Sequence, residues 1–531
     1  MKRSNYSTIT TTLSLLITCL LVAGLPASAE VRLPHILSSN MVLQRDVPIP
    51  VWGWADPGEQ ITVKLDQHTA CTKADAQGKW MVKLPEMKAG GPYEMTVSGK
   101  NTIKLTDILI GEVWICSGQS NMEVGIGFAQ NAQQEIAAAS WPQIRLFHLP
   151  LVTSGQPVSD VNAAWFPCSP QTVSRYKPFQ KEKSLGDWGG FSAVGYYFGR
   201  ELHKQLGIPV GMIDTSWGGT RIETWTPEFA FEQVPSLSGI AGKIKDLSMN
   251  YNTAVKKAVN DYECWLPLAQ KALQDSKTAP APPAWPANPL DSQFQPTGVY
   301  NAMVNPLVPF AIRGVIWYQG ESNLGDGMTY FEMMKAMIGG WRQAWAEGDF
   351  PFYFAQLAPY GYTKAWGRER PFELPKMWEA QTAALSIPNT GLVVTMDIGN
   401  LNDVHPRNKQ DVGKRLAFWA LAKTYGRSDL VYSGPFYKSM TVEGNKIRIS
   451  FDHIGSGLAS RDSQPLTWFE LAGADQKFVQ AQADIDGDTV LVWSDSISKP
   501  VAARFGWNEV AQPNLINKEG LPALPFRTDR W

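Results

Sequence analysis

Five short apolar runs constrain this chain more than any other feature: EVWICSG (112–118), PVGMIDTSW (209–217), GVIWYQG (314–320), FYFAQLAP (352–359) and GLVVTMD (391–397). Each is too short for a buried helix and ends in small or polar residues. Longer helical patterns lie between them, clearest over 193–206 (AVGYYFGRELHKQL) and 408–424 (NKQDVGKRLAFWALAKT). Strands with no polar face must be covered on both sides, and strands alternating with helices build an open parallel sheet with helices on both faces. The expected centre of the molecule is therefore α/β.

The flanks read differently. Residues 30–108 alternate strand-like runs with Pro-Gly and Gly-Gly turns, the pattern of an all-β module, and residues 429–531 return to that style in KIRISFDHI and DTVLVWSD. DIDGD (484–488) resembles part of a calcium loop but lacks the closing Glu, and reads as a hairpin turn. The central α/β domain is expected in two parts, 109–225 and 301–428. Residues 226–300 separate them, helical over 241–276 and then an extended Pro/Ala stretch. The chain has 531 residues, enough for several such units.

Residues 1–29 have the layout of a secretory signal: Lys2 and Arg3, an apolar stretch over Leu13–Leu25, and Ala27-Ser28-Ala29 before Glu30. The stretch is short for a membrane span, and Cys19 lies inside it rather than at the cleavage site. The expectation is a periplasmic or secreted protein without a membrane anchor. Four cysteines would remain, Cys71, Cys116, Cys168 and Cys264, with no C-x-x-C spacing and hence no zinc signature. The 48 basic and 49 acidic residues balance to a net charge of −1, which argues against a nucleic-acid partner.

Ligands of open α/β sheets bind beyond the carboxyl ends of the strands. Four of these ends carry chemistry: Ser117-Gly118-Gln119-Ser120-Asn121, Gly218-Gly219-Thr220, Gln319-Gly320-Glu321-Ser322-Asn323 and Asp403-Val404-His405-Pro406. Singly, each has an ordinary explanation. A Ser at a strand-to-helix junction caps the helix, a Gly pair makes a turn, and a His before Pro opens the next helix. Together they supply the nucleophile, base and oxyanion donors of acyl transfer. Of the six histidines, His35, His68 and His453 fall in the β modules, His203 in a helix and His148 in an irregular loop; only His405 joins a sheet rim to a nearby acid.

With these residues in view, the chain resembles the sialate O-acetylesterase family of SGNH hydrolases, which are carbohydrate acetylesterases. GQSNM resembles the block that carries the nucleophile, WGGTRIETW the block with the oxyanion glycine, WYQGESN the third block with Gln for the usual Asn, and DVHPRNKQDVGKRLA the histidine block. MVLQRDVPIPVWGWA and NLINKEGLPALPFRTDRW extend the likeness to both flanks. The resemblance implies an SGNH-hydrolase (flavodoxin-like) parallel sheet with flanking all-β sandwich modules. It also implies a serine esterase that removes O-acetyl groups from saccharides without a metal or organic cofactor. Ser120 would be nucleophile and His405 base. The oxyanion hole would comprise the Ser120 and Gly219 N–H groups, with Gly218 as the alternative glycine, and the Gln319 amide. Two departures from the family pattern stand out. The usual D-x-x-H has Asn402 in place of Asp, leaving Asp403 as acid, with Asp397 or a backbone carbonyl as alternatives and Glu321 of the third block as a residue that could instead orient a neighbour. Residues 226–300 also exceed a minimal core.

Arg221 could meet a sialic acid carboxylate or pair with Glu223; Asn121 and Glu321 are further substrate-binding candidates. A neutral substrate such as acetylated xylan or xyloglucan fits the 21 Trp residues equally well. Two other readings compete: a non-catalytic carbohydrate-binding protein and a lipid esterase. The G-x-S-x-G elbow of the α/β-hydrolase fold is missing, since GGFSAVG around Ser192 has the wrong spacing.

Overall fold

The run EVWICSG is the second half of one 17-residue strand, Thr102–Gly118, and this strand organises the molecule. The structure, a computed structural model, describes residues 30–175, 188–367 and 372–531. The candidate signal, residues 1–29 with Cys19, lies outside them. No helix among the described residues is long and apolar enough to cross a membrane.

The sheet path runs Thr390–Val393, Phe352–Ala355, Gly314–Tyr318, Thr102–Gly118, Val210–Ser216, Trp141–His148, Trp165–Cys168. Every neighbouring pair is parallel except the last. All five apolar runs are strands of this sheet. Trp141–His148 and Trp165–Cys168 were not foreseen, and His148 ends the first of them rather than lying in an irregular loop. Helices Ala193–Leu206 and Lys409–Trp419 pack together and cover the sheet face of Trp114 and Cys116, with the Phe198 ring 5.0 Å from Trp114. On the other face Trp317 meets Trp225, and Trp341 of helix Thr329–Trp345 meets Phe352. The strands are apolar throughout because neither face sees water.

The expected boundary at 108/109 falls inside the central strand. Its first half pairs with Gly90–Ser98 and Val42–Gln44 of the β module, and its second half with the α/β strands. Burial changes along it, from partly exposed over 102–107 to fully buried over 108–118, so the composition shift marks a change of covering rather than a linker. One apolar core accordingly runs from Val31 and Ile36 to Leu416 and Leu421, and takes in Ala511 and Leu524 of the C-terminal region. Glu112, fully buried, accepts from Arg45 at 2.5 Å and from Arg313 at 2.8 Å, binding the two regions by charge.

The C-terminal region has a second core, including Ile447, Ile449, Leu471, Val490, Val492 and Phe505, between two four-stranded sheets. DIDGD ends strand Gln482–Asp486 and, through Gly487-Asp488, turns into strand Thr489–Trp493. Within 226–300, Ser238–Gln274 is one helix of 37 residues, about 55 Å long. Its buried residues are Ile244, Ala258 and Ala269. The Pro-rich segment folds back on it: the Trp265 indole donates to the Pro280 carbonyl at 2.9 Å. Of the four described cysteines, Cys116 and Cys168 are buried and Cys71 and Cys264 exposed.

Candidate active site

The strand Thr102–Gly118 ends where it touches its neighbour. Gly118 has φ +137°, and a Cβ there would stand 2.2 Å from the Tyr318 carbonyl oxygen. Only glycine permits that backbone at that distance. The Gln119 N–H donates to the same carbonyl at 3.0 Å, and the chain turns into the short helix Ser120–Glu123. Gln119 is the N-cap residue and Ser120 the first helical residue, so the Ser120 hydroxyl does not cap the helix. It lies 2.9 Å from His405 Nε2, across 285 residues of sequence.

His405 is mostly buried, and Trp188 meets its ring edge-on with centroids 4.5 Å apart. Burial and then the Lys409 charge push its pKa down to about 4, opposed by Asp403. The imidazole is therefore neutral near pH 7, the state a general base requires.

Asp403 does not hold the imidazole as a triad acid would. Its Oδ1 accepts the main-chain N–H of His405 at 2.9 Å but stands 3.7 Å from Nδ1, beyond hydrogen-bond reach. Asp397 is taken by Arg415, which grips both its oxygens at 2.8 and 2.6 Å.

The expected oxyanion donors divide. No hydrogen bond to the N–H of Ser120 or Gly219 occurs among the described residues. Gly219 has φ +73°, and the position of its missing Cβ faces open space. The left-handed backbone at this position by itself favours glycine. The alternative, Gly218, donates its N–H to Glu123 at 2.5 Å. Gln319 is a correction. Fully buried, it donates its amide to the Thr220 carbonyl at 3.1 Å and Asn323 Oδ1 at 2.8 Å, and accepts from Tyr330 at 2.9 Å. Both amide protons are committed, so this side chain shapes the glycine turn from behind.

The three expected substrate ligands also differ. Arg221 donates to Glu223 at 2.8 Å, Asp326 at 2.7 Å and the Ser322 carbonyl at 2.8 Å. Two carboxylates already satisfy the cation a substrate carboxylate would need. Asn121 and Glu321 lie beneath the surface, 1 % and 7 % exposed. Asn121 Nδ2 donates to Glu321 Oε1 at 2.5 Å and to the Val404 carbonyl at 3.0 Å, and Asn121 Oδ1 accepts from Lys409 at 2.5 Å. Sequence reasoning missed Lys409. The available signal was a cation in the first turn of a helix, where the macrodipole disfavours positive charge.

A family model described as carbohydrate esterase, sialic acid-specific acetylesterase, matches residues 110–264 and 282–422. The chain belongs to this family of carbohydrate esterases. Ser120, Gly219, Gln319 and His405 all fall within the match, and so does most of helix Ser238–Gln274; the greater part of the segment read as an excess is thus family structure. Rat sialate O-acetylesterase is 30% identical over 440 residues, 77% of this chain and 76% of its own length. The human protein of that name is 29% identical over 465 residues, covering 82% and 79%. A crystal structure of a carbohydrate acetylesterase from Xanthomonas citri superposes with a TM-score of 0.77 at 37% identity, covering 94% of this chain and all of that one. The family makes this chain an esterase.

Proposed function

We propose that this chain is an exported carbohydrate O-acetylesterase working through a serine acetyl-enzyme. The observation that carries the reading is the 2.9 Å contact of Ser120 Oγ with His405 Nε2 at the strand-end rim. Ser120 Oγ attacks the acetyl carbonyl while its proton passes to Nε2. The tetrahedral oxyanion is held by the N–H groups of Ser120 and Gly219, each such donor contributing about 3 kcal/mol. Collapse breaks the bond to the sugar oxygen, which leaves with the proton from Nε2. Water then attacks the acetyl-enzyme by the same steps in reverse, freeing acetate and Ser120.

The names of the mammalian relatives support an O-acetylated sialic acid as substrate. A second reading, a neutral acetylated polysaccharide such as xylan or xyloglucan, is favoured by one observation: the Arg221 cation is already paired with Glu223 and Asp326. Acetate release by wild type and Ser120→Ala on O-acetylated sialic acid, acetylated xylan and xyloglucan oligosaccharides tests both. Ser120-dependent release from one class names the substrate; full activity of Ser120→Ala removes Ser120 as nucleophile.

A further inference from the structure

The catalytic pair leaves one buried group unexplained. Lys409 is 1 % exposed, yet its ammonium has no carboxylate in direct contact among the described residues; it donates to the Asn121 amide and lies 5.5 Å from the Tyr318 ring centroid. Glu321 stands on the far side of the same amide, and its second oxygen has no hydrogen-bond partner among the described residues. A buried charge held at one remove from its counter-charge is costly, and a well-packed apolar pair would fold as well or better. The arrangement therefore calls for a reason other than stability.

Its connections supply one. Asn121 follows the nucleophile directly, Glu321 lies in the third strand-end loop, and Lys409 begins the helix four residues after His405. The third contact of Asn121 is the Val404 carbonyl, in the peptide unit that leads into His405. A single amide thus spans the serine turn and the histidine loop, and its two ends are polarised by opposite charges. Lys409 fixes which end of Asn121 is the acceptor, and Glu321 and Val404 take both its protons. Trp188 packs against the His405 ring, but Asp403 sits 3.7 Å from Nδ1 and does not hold it by a hydrogen bond.

We propose that Lys409, Asn121 and Glu321 are positioning residues, a buried clamp that holds His405 against Ser120 through the Val404 carbonyl in place of an acid on the imidazole. The proposal rests on the Ser120–His405 reading above. The titratable and charged groups around the imidazole are Asp403 on its own loop, Lys409 from the following helix and Glu321 beyond Asn121; the Tyr318 phenol adjoins Glu321 and Lys409. Burial holds Lys409 down to about 7 and Glu321 above the usual carboxylate range.

The test compares Lys409→Met, Glu321→Gln and the double variant with wild type and Ser120→Ala, using p-nitrophenyl acetate and reading kcat, KM, the acid limb of kcat/KM and thermal unfolding. Lys409→Met is expected to lower kcat about 10- to 100-fold with KM within about twofold, as displacement of a base by less than an ångström does. Loss of the nearby cation should also move the acid limb to higher pH. Glu321→Gln keeps an acceptor for Asn121 and should lose less, and the double variant should fall short of the product of the singles, because the two charges act through one amide. Folded Lys409→Met and Glu321→Gln enzymes with wild-type kcat and an unmoved acid limb would overturn the clamp, as would losses that merely track unfolding. Should Lys409→Met fail to fold, Glu321→Gln and the double variant decide by the same readouts. An active Ser120→Ala sinks the Ser–His reading instead, whereas an inactive Ser120→Ala beside an unaffected Lys409→Met sinks the clamp alone.

Discussion

At the scale of residues, the distances around His405 separate groups that sequence could only offer together. An acid that holds a triad imidazole is worth roughly 10,000-fold in kcat. Asp403 serves a main-chain N–H instead, so Asp403→Ala should lower kcat by less than about tenfold in steady-state acetate release, while His405→Ala should match Ser120→Ala. Gln319→Ala is expected to act on folding. It leaves buried partners unpaired at a cost of about 1–3 kcal/mol, visible in urea denaturation, with little change in the kcat of the folded fraction. The low pKa of His405 gives a signed pH dependence. The acid limb of kcat/KM should fall near pH 4 rather than near 6.5. The unfolded chain protonates this histidine first, so its contribution to stability is fully present above about 6.5 and is lost as pH falls toward 4. Ser120 and His405 were legible because nucleophile and base must come from few residue types at strand ends. Which protons of Gln319 were free was not legible, since that depends on Thr220 and Asn323 arriving from other parts of the fold.

At the scale of elements, a run buried on both faces announces itself by composition, and all five such runs were read as strands. Trp141–His148 escaped because Pro142, Gln143 and Arg145 interrupt its apolar pattern; Arg145 is bound by the carbonyls of Pro142, Asn40 and Asp107, a tertiary arrangement no local pattern encodes. Helix 193–206 was read to the residue because Ser192 accepts from the Gly195 N–H at its start and Gly207 takes a left-handed conformation at its end. The Gly118 junction is the most exacting element. Gly118→Ala places a methyl against the Tyr318 carbonyl, and the expected result is insoluble or inactive protein, read by soluble yield and near-UV circular dichroism.

At the scale of the whole molecule, the two β regions differ in independence. The C-terminal sheets enclose their own core, whereas the N-terminal strands share theirs with the α/β domain. Deleting residues 30–101 should therefore abolish folding of the remainder, checked by soluble yield and calorimetry, even though it removes no candidate site residue. Composition suggested modules joined end to end, because a strand that changes covering half-way looks like a boundary. The shared strand also bears on descent. Regions joined by linkers can be exchanged by recombination, but a crossover anywhere between 90 and 118 would separate Gly90–Ser98 from its pairing partner or the nucleophile from its strand. The N-terminal β region and the serine would thus be inherited together, whereas the C-terminal sheets keep a core of their own and meet the α/β domain through Ala511, Leu524 and the Arg527–Glu379 ion pair.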